Sequence, residues 1–115
     1  MNKYISNNSK QFDGKVIIVT GSTQGSGAET AKLFAARGAK AITICGRQEN
    51  KGNQIKKEIE ELGSKCLYVK ADLSKVEDCK KIVALTDKEF GTVHSLVNVA
   101  GYTERGTILS ATLEN

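Results

Sequence analysis

The sequence predicts an α/β fold in which helices cover both faces of a parallel β-sheet. Short apolar and β-branched runs alternate with segments of helical periodicity along most of the 115 residues. The apolar runs are nearly continuous, which is typical of parallel strands that are buried on both faces. Glycines directly follow the helical segments, as is common at helix ends. We therefore expect one domain built on a doubly wound parallel sheet.

Four short apolar runs are predicted to form the strands. They are expected at residues 15–20, 41–45, 65–70 and 95–99. Connections between successive parallel strands are right-handed, which leaves few arrangements of the sheet. With a glycine-rich turn after the first strand, the series β-α-β-α-β-α-β predicts the spatial strand order 3-2-1-4, the N-terminal half of a doubly wound fold.

Three helices are predicted between these strands. They are expected at residues 25–37, 48–62 and 75–90, followed by Gly38, Gly63 and Gly91. Ser74 is the expected N-cap of the third helix, because Glu77 follows it at the spacing of a capping box. The first two helices are expected to cover one face of the sheet and the third helix the other.

Composition and charge exclude several classes of protein. The net charge is +4, and the lysines are spread over predicted helices beside glutamates, which indicates a solvated surface rather than a nucleic-acid patch. No apolar run reaches the ~18 residues of a membrane span, and the polar start lacks the apolar core of a signal peptide. We expect a flexible tail over 1–11 and a domain over 12–115. The cysteines have no metal-ligand spacing and are expected to be reduced thiols in a cytoplasmic protein.

The turn between the first strand and the first helix carries the clearest functional signal. Residues 20–27 read Thr-Gly-Ser-Thr-Gln-Gly-Ser-Gly. Glycines at such a turn let the backbone approach a ligand closely, and the N–H groups of the helix that follows point at it. The positive end of the helix dipole favours an anion at this position. The sequence therefore predicts a phosphate or pyrophosphate site.

Further motifs lie at the ends of the other predicted strands. Arg47 follows the second strand, Ala71-Asp72-Leu73 the third, and residues 96–101 read Leu-Val-Asn-Val-Ala-Gly. Together with the glycine turn, these motifs resemble those of the short-chain dehydrogenase/reductase family over about residues 12–106. The resemblance implies a Rossmann-type fold, a nicotinamide dinucleotide cofactor, and hydride transfer between the nicotinamide and a carbonyl or alcohol.

The resemblance also implies a role for each motif in holding the cofactor. Asp72 would accept a hydrogen bond from the adenine amino group, with the Leu73 backbone beside it. The turn under the ribose and diphosphate would consist of Gly21, Ser22, Thr23, Gln24, Gly25, Ser26 and Gly27. The floor near the adenosine ribose would consist of Asn98, Ala100 and Gly101.

Two positions depart from the family pattern. Val99 replaces the second residue of the usual Asn-Asn-Ala-Gly run, which removes an amide near the cofactor. Ser26 stands where the family often has Ile or Leu beneath the nicotinamide, and a smaller polar residue there is expected to loosen that end of the site.

Charge at the end of the second strand favours NADP(H) over NAD(H). An NAD site commonly has an acidic residue there to hold the ribose 2′-hydroxyl, but this chain reads Cys45-Gly46-Arg47. A guanidinium can pair bidentately with a 2′-phosphate. Gln24 counts against this preference, because NADP-binding relatives often have a basic residue at that position.

Each candidate residue also has a purely structural interpretation. The glycines would then form only a tight turn, Arg47 would be a surface arginine, and Asp72 a turn or N-cap residue. His94, the single histidine, is interpreted as a loop residue. No cluster of Cys, His and carboxylates indicates a metal site or a nucleophilic triad, so neither is expected.

The sequence does not contain the catalytic pair that the resemblance implies. In the family this pair is Tyr-x-x-x-Lys, but the residues four positions after Tyr4, Tyr68 and Tyr102 are Asn8, Asp72 and Gly106. We therefore expect the cofactor-binding fragment of a longer oxidoreductase, inactive alone and prone to self-association through the exposed edge of its fourth strand. The alternative is a non-catalytic dinucleotide-binding module or sensor.

Overall fold

The computed structural model describes residues 11–21 and 25–99 of the chain. These residues form alternating strands and helices, as predicted. The elements in chain order are β1 (Val16–Thr20), α1 (Gly25–Ala36), β2 (Ala41–Gly46), α2 (Glu49–Glu61), β3 (Lys65–Lys70), α3 (Val76–Phe90) and β4 (Ser95–Asn98). The predicted bounds of β3 agree with the structure, and the other elements differ from their predicted bounds by one residue at one or both ends.

The strands form one sheet with the order β3-β2-β1-β4, and all the pairings are parallel. The predicted strand order is thus confirmed. β1 lies in the interior of the sheet, and every one of its residues is buried. Its position explains its composition, because an interior strand with helices on both faces has no side that water reaches.

The helices divide between the two faces as predicted. On one face, alanines of α1 and isoleucines of α2 pack against alternate residues of β1 and β2. On the other face, Ile82 of α3 packs with Ile18, Cys45 and Val69. The residues buried together on the face of α1 and α2 include Ile17, Val19, Ile42, Ile44, Ala28, Ala31, Ala35, Ile55 and Ile59. On the second face, Thr86 of α3 also meets Thr43 of β2, with their buried hydroxyl oxygens 2.8 Å apart.

The predicted cap of α3 is wrong. Ser74 is not the N-cap: the helix begins at Val76 after Lys75, which makes no side-chain cap hydrogen bond. Ser74 instead donates its N–H and its hydroxyl to Oδ1 of Asp72, over 2.9 and 2.7 Å. In a capping box the Ser74 N–H would donate to Glu77, but here that N–H donates to Asp72 instead. The predicted end at Gly91 is confirmed, with a left-handed φ of 82°.

Candidate functional site

The predicted site residues follow four neighbouring strands at one edge of the sheet. Gly21 follows β1, Arg47 follows β2, Asp72 follows β3, and Asn98 ends β4. Because the strands are parallel, their carboxyl ends meet at this edge, where open α/β sheets bind ligands. Of the remaining predicted residues, Ser22, Thr23, Gln24, Ala100 and Gly101 lie outside the described residues.

The glycine turn begins in close contact with the end of β4. Gly21 has a φ of +64°, and a Cβ at this position would lie 2.6 Å from the carbonyl oxygen of Val99. A side chain at residue 21 is therefore excluded both by backbone conformation and by space. Val99 is itself buried in the core cluster that contains α1 and α2. Position 99, where the family usually has a second Asn, thus points into the core in this chain, and an apolar valine suits that position.

Cys45 supports the glycine turn from the neighbouring strand. Its Sγ lies 3.9 Å from the carbonyl oxygen of Val19 and accepts a hydrogen bond from the N–H of Gly21. Burial raises the pKa of the Cys45 thiol to about 11, and the Gly21 N–H opposes this shift. Cys45 and Cys66 are both buried free thiols. The contact with the turn was not predicted, because it depends on how β1 and β2 pair.

The first turn of α1 is exposed at Gly25 and Ser26 and carries no carboxylate. Gly25 has a φ of +60° and is exposed, and among the described residues no atom lies within 4 Å of the position of a Cβ. Ser26 is also exposed, Gly27 is buried, and the first turn of the helix contains no acidic residue. An exposed helix start of this kind, at the positive end of the dipole, fits a phosphate group.

Thr20 and Asn98 join the ends of β1 and β4. The Thr20 hydroxyl donates to Oδ1 of Asn98 over 2.6 Å, and Thr20 is buried while Asn98 is exposed. With its oxygen held by Thr20, the carboxamide of Asn98 can offer its NH₂ group to a ligand. Thr20 was not among the predicted site residues. Its position as the last polar residue of an apolar strand is the signal that could have identified it.

Asp72 organises the turn before α3. Its Oδ1 accepts both hydrogen bonds from Ser74, and its own N–H donates to Oδ2 of Asp78 over 2.7 Å. The hydrogen bonds from Ser74 lower the pKa of the Asp72 carboxyl, and the positive charge of Arg47 lowers it further. The turn role of Asp72 is therefore confirmed, and its contact with adenine stays a prediction. Arg47 and Leu73 are both exposed.

His94 has a structural role at the opposite end of β4. It lies in the loop before the strand, as interpreted from the sequence, and its Nδ1 accepts a hydrogen bond from the N–H of Val16 over 2.9 Å. Over residues 11–21 and 25–99, no group of three or more His, Cys, Asp or Glu side chains could hold a metal ion. No helix in the described part of the chain is long and apolar enough to cross a membrane.

Comparisons with known proteins agree with this arrangement. The profile of the short chain dehydrogenase family matches residues 15–115. The 11-beta-hydroxysteroid dehydrogenase A of Sesamum indicum is 38% identical over 94 residues, which cover 81% of this chain and 27% of that protein. The curated relatives that we compared are matched over 27% to 34% of their own length.

Solved structures show the same fold. A hydroxysteroid dehydrogenase from Escherichia coli superposes with a TM-score of 0.76 at 28% identity, over 84% of this chain and 39% of that one. An NADH-dependent reductase complexed with NAD gives a TM-score of 0.72 at 28% identity, over 81% of this chain and 38% of that one. The family match, the strand order and the motifs at the strand ends lead to one conclusion. This chain belongs to the short-chain dehydrogenase family.

Proposed function

We propose that this chain binds NADP(H) in preference to NAD(H), as the cofactor-binding part of an oxidoreductase that reduces carbonyls or oxidises alcohols. The observation that carries the proposal is the start of α1, where exposed glycine backbone meets a first helical turn without carboxylates. Family membership supports a dinucleotide over other phosphorylated ligands, and the neighbour that was solved with NAD supports a nicotinamide cofactor.

Each motif at the carboxyl edge has a role in the proposed site. The helix start would hold the diphosphate, Arg47 the 2′-phosphate, Asp72 the adenine amino group, and Asn98 the adenosine ribose. The Leu73 backbone would lie beside the adenine. The predicted residues outside the described part of the chain, which complete the proposed site, are Ser22, Thr23, Gln24, Ala100 and Gly101.

The nicotinamide ring, when bound, would supply or accept the hydride. The residues described here would bind and orient the cofactor rather than move protons. None of the tyrosines in this sequence is followed by a lysine at the fourth position, so we propose that these 115 residues alone bind cofactor without turning over substrate. The substrate, a small carbonyl or alcohol, would meet the cofactor in the whole protein.

Titration of the purified chain with NADPH and with NADH, followed by nicotinamide fluorescence, tests the proposal. We expect saturable binding of both, with the tighter Kd for NADPH. Arg47→Ala should bring the two Kd values together, because it removes the guanidinium that pairs with the 2′-phosphate. Lys57→Ala, which removes an exposed cation further along α2, is the matched control for net charge.

Two outcomes would contradict the proposal. No saturable signal with either cofactor, from a chain whose circular dichroism shows it to be folded, would refute dinucleotide binding. Equal affinity for NADPH and NADH, unchanged by Arg47→Ala, would refute the NADP(H) preference.

Location and self-association belong to the same proposal. The three cysteines are free thiols, which suits the reducing cytoplasm that we propose as the location.

β4 pairs with β1 on one side and has no second partner strand among the described residues. Such an edge supports self-association. Light scattering that finds a monomer at all concentrations up to the millimolar range would refute it.

A further inference from the structure

The carbonyl group between Gly46 and Arg47 is held by two donors from the neighbouring strand and its extension. The N–H of Ala71 donates to the Gly46 oxygen over 3.0 Å, and the hydroxyl of Tyr68 donates to the same oxygen over 2.8 Å. A carbonyl oxygen has two lone pairs, so both are used. The plane of the peptide that leads into Arg47 is therefore fixed from the side of β3.

The Tyr68 ring is held in place by a glycine on α2. A Cβ at Gly52 would lie 2.5 Å from Cζ of Tyr68, well inside van der Waals contact. Gly52 is buried in the first turn of the helix, and its N–H donates to the carbonyl of Gln48 over 3.0 Å. The ring thus lies against the helix start and occupies the space that a side chain at residue 52 would need.

The environment keeps Tyr68 a hydrogen-bond donor. Burial raises the pKa of its phenol above the ordinary value, and the negative charge of Glu49 raises it further. The hydroxyl therefore stays protonated at neutral pH. Its bond to Gly46 connects β3 to the last residue of β2, one position before the exposed Arg47.

We propose that Tyr68 is a positioning residue for cofactor choice: its hydroxyl fixes the Gly46–Arg47 peptide and so aims the guanidinium at the adenosine 2′-substituent. The inference rests on the proposed function, because it assigns Arg47 to the 2′-phosphate. This positioning role of Tyr68 can be distinguished from a general role in folding. A residue that only stabilised the sheet would affect NADPH and NADH binding alike, whereas one that orients Arg47 affects NADPH alone.

A double-mutant cycle on the full chain tests this inference. The ratio of the Kd for NADH to the Kd for NADPH would be measured by calorimetry for the unmodified chain, Tyr68→Phe, Arg47→Ala and the double variant. Tyr68→Phe keeps the ring against Gly52 and removes only the hydroxyl. We expect it to reduce the ratio by about two- to tenfold, the range for one hydrogen bond. In the Arg47→Ala background it should change nothing further.

Ser64→Ala is the matched control, because it removes another hydroxyl-to-carbonyl bond at the opposite end of the sheet, from Ser64 to Ala39 over 2.5 Å. It should leave the ratio unchanged. Gly52→Ala is a second way to displace the phenol, and it should reduce the ratio at least as much as Tyr68→Phe. Thermal unfolding of each variant establishes that the proteins compared are folded.

The outcomes separate the two claims. If Arg47→Ala reduces the ratio and Tyr68→Phe does not, the role of Tyr68 is overturned while the proposed function stands. If Tyr68→Phe weakens both cofactors by the same factor, Tyr68 is only structural and the inference is overturned. If Arg47→Ala itself leaves the ratio unchanged, the assignment of Arg47 fails and the inference fails with it.

Discussion

The starts of α1 and α3 both lie at the carboxyl edge of the sheet, but they are built in opposite ways. α3 has Glu77 and Asp78 in its first turn, and Asp78 reaches back to the N–H of Asp72. α1 has no acidic residue in its first turn, and its start is exposed glycine and serine. Carboxylates at a helix start offset the positive end of the dipole.

The difference between these two starts bears on where the proposed phosphate site lies. At α3 the carboxylates of Glu77 and Asp78 stabilise the helix start through its dipole and repel an anion from it. At α1 the first turn has no carboxylate to offset the positive end of the dipole, which suits a phosphate. Location at the edge of the sheet is therefore not enough to identify the phosphate site, and the charge of the first helical turn distinguishes the two.

The largest effect is expected from a side chain at the entrance to α1. Gly21→Val should destabilise the chain by at least about 2 kcal/mol, because it combines a left-handed φ with a clash against the Val99 carbonyl. Urea unfolding measures the loss. Gly14→Val is the matched control, since Gly14 has a φ of +80° and no atom of the described residues within 4 Å of its Cβ position. Equal losses in the two variants would mean that the contact with Val99 is unimportant.

A carboxylate placed in the first turn of α1 should make that turn negatively charged, as the first turn of α3 is. Ser26→Glu is expected to weaken NADPH and NADH binding by about tenfold or more, because the new charge repels the diphosphate at close range. The same change should leave the chain as stable or slightly more stable, by about 0.3–1 kcal/mol, through the helix dipole. Calorimetry and thermal unfolding measure the two effects, and Ser26→Gln is the uncharged control. Unchanged affinity in Ser26→Glu would place the diphosphate elsewhere.

Removal of the Asp78 carboxylate from the first turn of α3 should lower the stability of the chain. Asp78→Ala is expected to cost about 1 kcal/mol, since it deletes both the bond to the Asp72 N–H and a favourable charge at the helix start. Glu77→Ala removes a charge from the same turn without that bond and should cost less. Urea unfolding at low salt compares the two variants. A larger loss in Glu77→Ala would show that the bond from Asp78 contributes little.

The smallest effect concerns protonation of Asp72. The bonds from Ser74 lower its pKa in the folded chain, so its contribution to stability is present above the ordinary range of Asp, about 4. It is lost only as the pH falls through the lower, folded pKa. NMR titration of the Asp72 carboxyl carbon should show a midpoint below the ordinary value. Ser74→Ala should raise the midpoint towards that value, and an unchanged midpoint would assign the shift to another cause.

The sequence was sufficient to predict the elements and their arrangement. Continuous apolar strands such as Val16–Thr20 and helices followed by glycines are local signals. The right-handed crossover rule left few arrangements, and the glycine turn of a doubly wound fold then predicted the strand order. The residues expected after each strand were therefore brought to one edge without any knowledge of side-chain contacts.

The contacts within the site could not be predicted in the same way. The bonds from Thr20 to Asn98 and from Tyr68 to Gly46 join residues far apart in the sequence, and they depend on the register between strands. Ser74 was misassigned for a related reason. Its spacing to Glu77 suits a capping box, but an aspartate two residues earlier accepts the Ser74 N–H that Glu77 would bond in that motif.

The bond between Thr20 and Asn98 has a consequence for the order in which the chain folds. These residues are 78 positions apart, and β4 is the last of the described strands to be synthesised. Contacts between such distant parts of a chain form only after a large loop has closed, which makes them late events in folding. The glycine turn therefore gains its support from β4 only at the end, so we expect nucleotide affinity to mark the completion of this domain rather than its first collapse.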